Sequence, residues 1–236
     1  MPELPEVETV RRGLEQQTQG FEISRVEVHR ARAIASPANP AAFAAALCGC
    51  RVGAWSRRGK YLMGELSRGG KEAGSWGVHL RMTGQFLWLE TPKPACSHTR
   101  VQLFAASNQE LRFVDTRSFG QMWWVPPGQP LDSVITGLGR LGPEPFSPAF
   151  NAAYLAERLR GSRRPIKNAL LDQALVAGVG NIYADESLFA AGIRPATASG
   201  SLGVSQLERL RQALVEVLET SIGAGGTTFS DFRDLK

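Results

Sequence analysis

The chain opens MPELPEVETVRRGL (residues 1–14), and this stretch governs both the fold and the chemistry expected of the whole protein. From Pro5 to Gln17 the apolar residues Val7, Val10 and Leu14 share one face at helical spacing, and Gly20 stands beyond the end. Ahead of this helix, removal of Met1 exposes Pro2 as a secondary amine. An α-amino group titrates near pH 7.7–8.0, so a useful fraction is an unprotonated nucleophile at neutral pH. A secondary amine that attacks a sugar carbon gives an iminium ion, cationic without gaining a proton. Glu3 and Glu6 lie within one helical turn of that amine and are able to move protons. A plainer reading stands beside this one. Pro2 aids methionine removal and starts a helix, and Glu6 stabilises the helix amino terminus through its dipole. Residue types alone leave both open.

Around this opening, 236 residues with 43% hydrophobic content suffice for one large domain or two modest ones. No secretory segment or run of 18 apolar residues is read, so a soluble cytoplasmic protein with no membrane partner is expected. Twenty-seven Lys and Arg against 22 Asp and Glu give a net charge of +5, and the pI is about 9.4. That balance suits a polyanionic partner without demanding one. Cys48, Cys50 and Cys96 lack zinc-ligand spacing and read as structural thiols in a reducing compartment.

The two halves of the chain differ. Alternating patterns predict strands near residues 21–28, 51–56, 61–66, 78–82, 86–90, 101–105, 110–114 and 122–125, interrupted by a short helix around Ala41–Leu47. Residues 67–75 read as an exposed hairpin loop. Residues 126–148 hold six prolines and four glycines and mark a linker. Helices are predicted afterwards. The first spans Pro148–Arg160 with Ser147 as cap, and the second runs from Pro165 through Ala177. The third spans Ile182–Ala191 with Asn181 as cap, and Ser205–Ser221 comes last with a Ser205/Glu208 capping box. The class is α+β, with an antiparallel β-sandwich flanked by helices and then an all-α region. The expected division is 1–130, a linker at 131–147, and 148–236.

Several short segments carry candidate chemistry. Lys60 follows a compact cationic turn at residues 57–59 that is able to hold a phosphate. Met82 is a flexible apolar side chain between turn residues. Arg117 and Phe119 place a donor fork and an aromatic plane two residues apart, on one face if the loop is extended. Gly178, Gly180 and Asn181 precede a helix whose amino terminus offers amide donors to phosphate. A plain joint between helices is the alternative there, and a dinucleotide fold is excluded because no strand precedes the glycines.

The opening segment, together with RGKYL (58–62), HLRMTG (79–84) and GVGNIYADESLF (178–189), resembles the formamidopyrimidine-DNA glycosylases, a bacterial base-excision family. The resemblance covers residues 1–236 in the right order. It implies a bifunctional DNA glycosylase and AP lyase that everts an oxidised purine, such as 8-oxoguanine or a formamidopyrimidine, from duplex DNA. Pro2 would be the nucleophile and Glu3 its acid–base partner, with Glu6 orienting the amine and β,δ-elimination proceeding through a Schiff base. Lys60 would contact the backbone beside the lesion, and Lys167 would lie near the damaged site. Met82, Arg117 and Phe119 would fill the void, Arg117 facing the orphaned cytosine. Gly180 and Asn181 would belong to a helix–two-turns–helix element. Thr227 and Thr228, in the segment near 223–230, would enclose the purine.

Two departures accompany the resemblance. Thr116 stands where the family usually has proline, which would loosen the loop. The family also continues into a zinc finger of four cysteines, whereas this sequence stops at Lys236 without such pairs. Truncation is the expectation, with no cofactor held by these residues and a monomer acting on damaged DNA. Two rivals remain at this stage. An endonuclease VIII-like enzyme for oxidised pyrimidines is disfavoured by Leu4, where that group has glycine. A non-catalytic DNA-binding module is disfavoured by the intact Pro2, Glu3 and Glu6.

Overall fold

A computed structural model describes residues 1–226. Helix α1 (Leu4–Thr18) forms where the opening pattern predicts it, burying Val7, Val10 and Leu14. It lies against a sandwich of two sheets. One is four-stranded, in the order β1 (Ile23–Val28), β7 (Thr99–Ala105), β8 (Glu110–Asp115) and β6 (Gly84–Leu89). The other is five-stranded, in the order β2 (Ile34–Ser36), β9 (Gln121–Val125), β5 (Lys71–His79), β4 (Tyr61–Arg68) and β3 (Arg51–Arg58). Helix α2 (Pro40–Leu47) closes one flank with Phe43 and Leu47, and the inner faces of both sheets meet around Trp76, Phe86 and Phe113.

Three expectations for this half are corrected. The sandwich is not wholly antiparallel, because β2, absent from the sequence reading, pairs parallel to β9. The predicted loop at 67–75 is mostly strand. Its turn is confined to Gly69 and Gly70, both with positive φ, and Arg68 pairs with Lys71 across it. Charge and glycine there mark solvent exposure rather than loss of pairing. The strand predicted at 78–82 ends at His79.

The segment between the halves is more than a tether. Helix α3 (Leu131–Val134) and a 3₁₀ turn at Thr136–Arg140 lay Ile135 over the outer face of the five-stranded sheet. A Cβ on Gly77 would come within 2.4 Å of Ile135, so this strand keeps glycine where the segment presses on it.

The second half is helical: α4 (Ala152–Leu159), α5 (Ile166–Leu171), α6 (Asn181–Ala191) and α7 (Val204–Gly223) enclose Tyr183, Leu188, Leu210 and Leu214. The predicted caps shift. Asn151, not Ser147, caps α4 by accepting from the Tyr154 amide. Helix α5 stops at Leu171 rather than Ala177, and residues 172–180 form the turns before α6. Gly203 rather than Ser205 precedes α7, its amide bonded to Gln206, while Glu208 pairs with Arg211.

Candidate active site

The amino terminus is docked between the two halves. Leu4 N donates to Gly178 O at 3.0 Å. Glu3, 2% exposed, sends its carboxylate across to α6, accepting from the amides of Gly180 (2.8 Å), Ile182 (2.8 Å) and Tyr183 (3.3 Å). A carboxylate at a helix amino terminus satisfies donors that the helix itself leaves unpaired. Glu6 is equally buried. Its Oε2 accepts from Glu3 N at 2.9 Å and its Oε1 from the Tyr183 hydroxyl at 2.6 Å. Tyr183 also bonds Ser221 near the end of α7. Glu3 and Glu6 therefore flank half-buried Pro2 on a frame built from three helices.

This arrangement corrects the expectation for the glycines. Three amides at the start of α6, those of Gly180, Ile182 and Tyr183, are taken by Glu3 and not open to a phosphate. Gly178 and Gly180 allow the amino terminus itself to approach: a Cβ on Gly180 would come within 2.5 Å of Glu3, and one on Gly178 within 2.7 Å of Leu4. Asn181 is the first residue of α6 rather than its cap, and it is exposed.

Beside the docked terminus lies a cleft of about 640 Å³ between the sandwich and the helices. Met1, Lys60, His79, Arg81, Arg140 and Asn181 are among the residues that line it. Lys60 is 6% exposed, at the β3–β4 turn where Gly59 takes a φ of +56°. Glu144 of the connecting segment holds that turn by pairing Arg57 (2.9 Å) and Arg58 (3.2 Å) and accepting from Gly59 N. Among the described residues no hydrogen bond or ion pair is made by the Lys60 ammonium.

The electrostatics are uneven. Burial pushes Glu3 above the ordinary carboxylate range, against the pull of the three amides and Lys60. Burial lowers the pKa of Lys60, while Glu3 and Glu6 act to raise it. His79 is held down to about 3 by burial and by the nearby Arg81 and Lys60 charges. Its Nδ1 accepts from Arg81 N at 3.0 Å, so the neutral ring keeps its proton on Nε2.

Met82, Arg117 and Phe119 sit on two neighbouring loops, and all three are exposed. The loop is not extended through Arg117 and Phe119, since Ser118 between them has a φ of +57°. Even so, Arg117 lies over the Phe119 ring at 5.1 Å, as does Arg32. Thr116 does not leave the loop loose, because Asp115 binds the amides of Arg117 and Gly120. Lys167 pairs with Asp185 at 2.9 Å and is not part of the cleft lining. Thr227 and Thr228 lie outside the described residues.

Sequence reasoning misses His79, Arg81, Asp115, Tyr183 and Arg140. His79, Arg81 and Tyr183 stand within the quoted motifs and Asp115 two residues before Arg117, each near residues with a more obvious role. Arg140 is hidden in a segment that reads as linker. Among the described residues no group of three or more His, Cys, Asp or Glu could hold a metal, and Cys48, Cys50 and exposed Cys96 are free.

Comparison with known proteins finds relatives along the whole chain. The formamidopyrimidine-DNA glycosylase N-terminal domain matches residues 1–122, and the H2TH domain of the same enzymes matches residues 141–233. A formamidopyrimidine-DNA glycosylase of Parasynechococcus marenigrum (strain WH8102) is 68% identical over 236 residues, covering 100% of this chain and 84% of that protein. One from Nostoc punctiforme is 56% identical over 237 residues, covering 100% of this chain and 81% of its own. Among solved structures, the Lactococcus lactis Fpg in complex with FAPY-dG-containing DNA superposes with a TM-score of 0.87 at 33% identity, covering 98% of this chain and 84% of that one.

Proposed function

This chain belongs to the formamidopyrimidine-DNA glycosylase family, and on that premise we propose how its cleft excises oxidised purines from damaged DNA during base excision repair. Once Met1 is removed, the Pro2 amine attacks C1′ of the everted nucleotide, and the glycosidic electrons leave with the base. The sugar ring opens to an iminium as O4′ gains a proton from Glu3. The proton shed by the Pro2 nitrogen goes to the departing base. The Glu3 carboxylate takes a C2′ proton as the 3′ phosphate leaves, and a second elimination expels the 5′ phosphate. Glu6 orients the amine from its bonds to Glu3 N and Tyr183.

The carrying observation is Glu3 itself. It is a buried carboxyl adjacent to Pro2, with a raised pKa and a position fixed by three α6 amides. Such a group is suited to exchange a proton with the sugar held beside it.

DNA is held by cations and neutral donors around the cleft. Lys60 and Arg140 meet backbone phosphates, as do the His79 Nε2–H and the Asn181 side chain. Met82 and Phe119 enter the stack, and Arg117 reads the base left opposite. The segment near 223–230, with Thr227 and Thr228, encloses the lesion. One copy of the chain suffices for this geometry. No helix among the described residues is long and apolar enough to cross a membrane. A chromosomal substrate puts the work at the nucleoid.

The test is borohydride trapping on an 8-oxoguanine duplex, with the crosslink mapped by mass spectrometry. The expected adduct is on Pro2, and Pro2→Gly slows strand cleavage by about 10²-fold or more. An unchanged cleavage rate in that variant would falsify the assignment of the nucleophile.

A further inference from the structure

The side chains proposed to enter the duplex come from two loops, one after β5 and one after β8. A single carboxylate joins them. Asp115, at the end of β8, is 1% exposed. Its Oδ1 accepts from the Thr83 hydroxyl of the first loop and from Arg117 N of the second at 3.1 Å. Its Oδ2 accepts from Gly120 N at 2.7 Å. Thr83 closes the ring by accepting from the same Arg117 amide at 3.1 Å.

The backbone these bonds hold is costly. Arg81, directly before Met82, has a φ of +54°, and Ser118, between Arg117 and Phe119, has a φ of +57°. Non-glycine residues enter this left-handed region only when their surroundings over-determine it. The base under both loops is also tight. A Cβ on Gly84 or Gly120 would come within 2.7 or 2.6 Å of the Phe113 ring. From this base Met82 and Phe119 project into solvent, 38% and 36% exposed. Two apolar side chains thus stand partly in water beside strained backbone, Phe119 touched by the Arg32 and Arg117 guanidiniums.

We propose that Asp115 is a positioning residue that fastens the two loops into one preformed wedge, so that readout of the opposite base by Arg117 depends on a carboxylate buried away from DNA. The proposal rests on the glycosylase function proposed for the cleft. Rigid presentation matters because a donor fork discriminates between bases only when its geometry is fixed before contact. Without Asp115 the second loop relaxes out of the left-handed conformation at Ser118, and Arg117 reaches several positions equally well.

The experiment compares cleavage of 8-oxoguanine paired with cytosine and with adenine, beside borohydride trapping on a preformed abasic site. Wild type is set against Asp115→Asn and Thr83→Val, each checked for folding by thermal melting. Asparagine at 115 puts an amide donor toward either Gly120 N or the Thr83–Arg117 pair. Thr83→Val cuts only the bridge between loops, so it keeps the proposal testable if the Asp115 variant folds poorly. Both are expected to lower the cytosine-to-adenine ratio of kcat/KM by roughly five- to tenfold, the fold-change one lost hydrogen bond carries. Trapping at the abasic site should persist. Adding Ser118→Gly to Asp115→Asn should restore part of the ratio, because glycine takes the left-handed conformation freely. Folded variants that keep the wild-type ratio overturn the proposal. Wild type that neither traps nor cleaves overturns the underlying glycosylase function instead.

Discussion

His79 shows how a single side chain can be fixed in one protonation state by its surroundings. It is 8% exposed, and with Arg81 and Lys60 nearby its pKa falls from 6.5 to about 3. The unfolded chain therefore takes up a proton below pH 6.5 that the folded chain refuses. The stability tied to His79 is intact above pH 6.5 and is lost as pH falls from there toward 3, by up to about 1.4 kcal/mol per pH unit. His79→Gln keeps an acceptor for Arg81 N and removes the titration. Denaturant melts between pH 7 and 5 should show a shallower decline in the variant, and parallel declines would sink the assignment. The motif at 79–84 displays this histidine openly, but its neutrality is not legible there. That property comes first from burial, and then from the charges of Arg81 and of Lys60, the latter some twenty residues away in sequence.

At the level of elements, α1 and α6 share one joint. The period of Val7, Val10 and Leu14 announces the first helix, and the glycines at 178 and 180 announce an interruption before the second. What the interruption is for stays hidden, because the group filling it comes from the other end of the chain. Local patterns report periodicity and turn chemistry; they do not report a bond between residues 3 and 182. Gly180 has a φ of −129°, which alanine adopts without strain, so Gly180→Ala tests the joint through its Cβ alone. The methyl group displaces the Glu3 carboxylate. Overpacking of this kind costs about 1–3 kcal/mol, seen as a lower Tm. Excision should fall by about 10²-fold because of misplacement, while gel-shift affinity for abasic DNA stays near wild type. Normal turnover in the variant would show that Glu3 need not sit on α6.

Across the whole molecule, the halves are fastened by the segment that composition marks as a linker. Its prolines and glycines do break regular structure. Its packing is invisible in the sequence, because Ile135 and Glu144 contact residues distant along the chain: Gly77, Arg57 and Arg58. This segment also carries Arg140 to the cleft opposite Lys60. If Arg140 meets a phosphate, Arg140→Ala should weaken binding to all duplexes alike and reduce the slope of log K against log salt by about 0.9. A fluorescence anisotropy titration from low to physiological salt reads that slope. An unchanged value would leave Arg140 as a solvated charge at the cleft edge.

The reach of Glu3 to α6 also sets a clock on biosynthesis. The amino terminus leaves the ribosome first, yet the amides that receive its carboxylate are encoded 177 to 180 residues later. At ~5–20 residues per second, roughly 10–35 s pass between their syntheses. Throughout that interval a nascent chain holds Pro2 beside a Glu3 carboxyl that nothing yet fixes in place. Methionine processing can thus finish before the site is assembled. On the proposed mechanism, the protein becomes able to act on DNA only after residues 180–183 have been made.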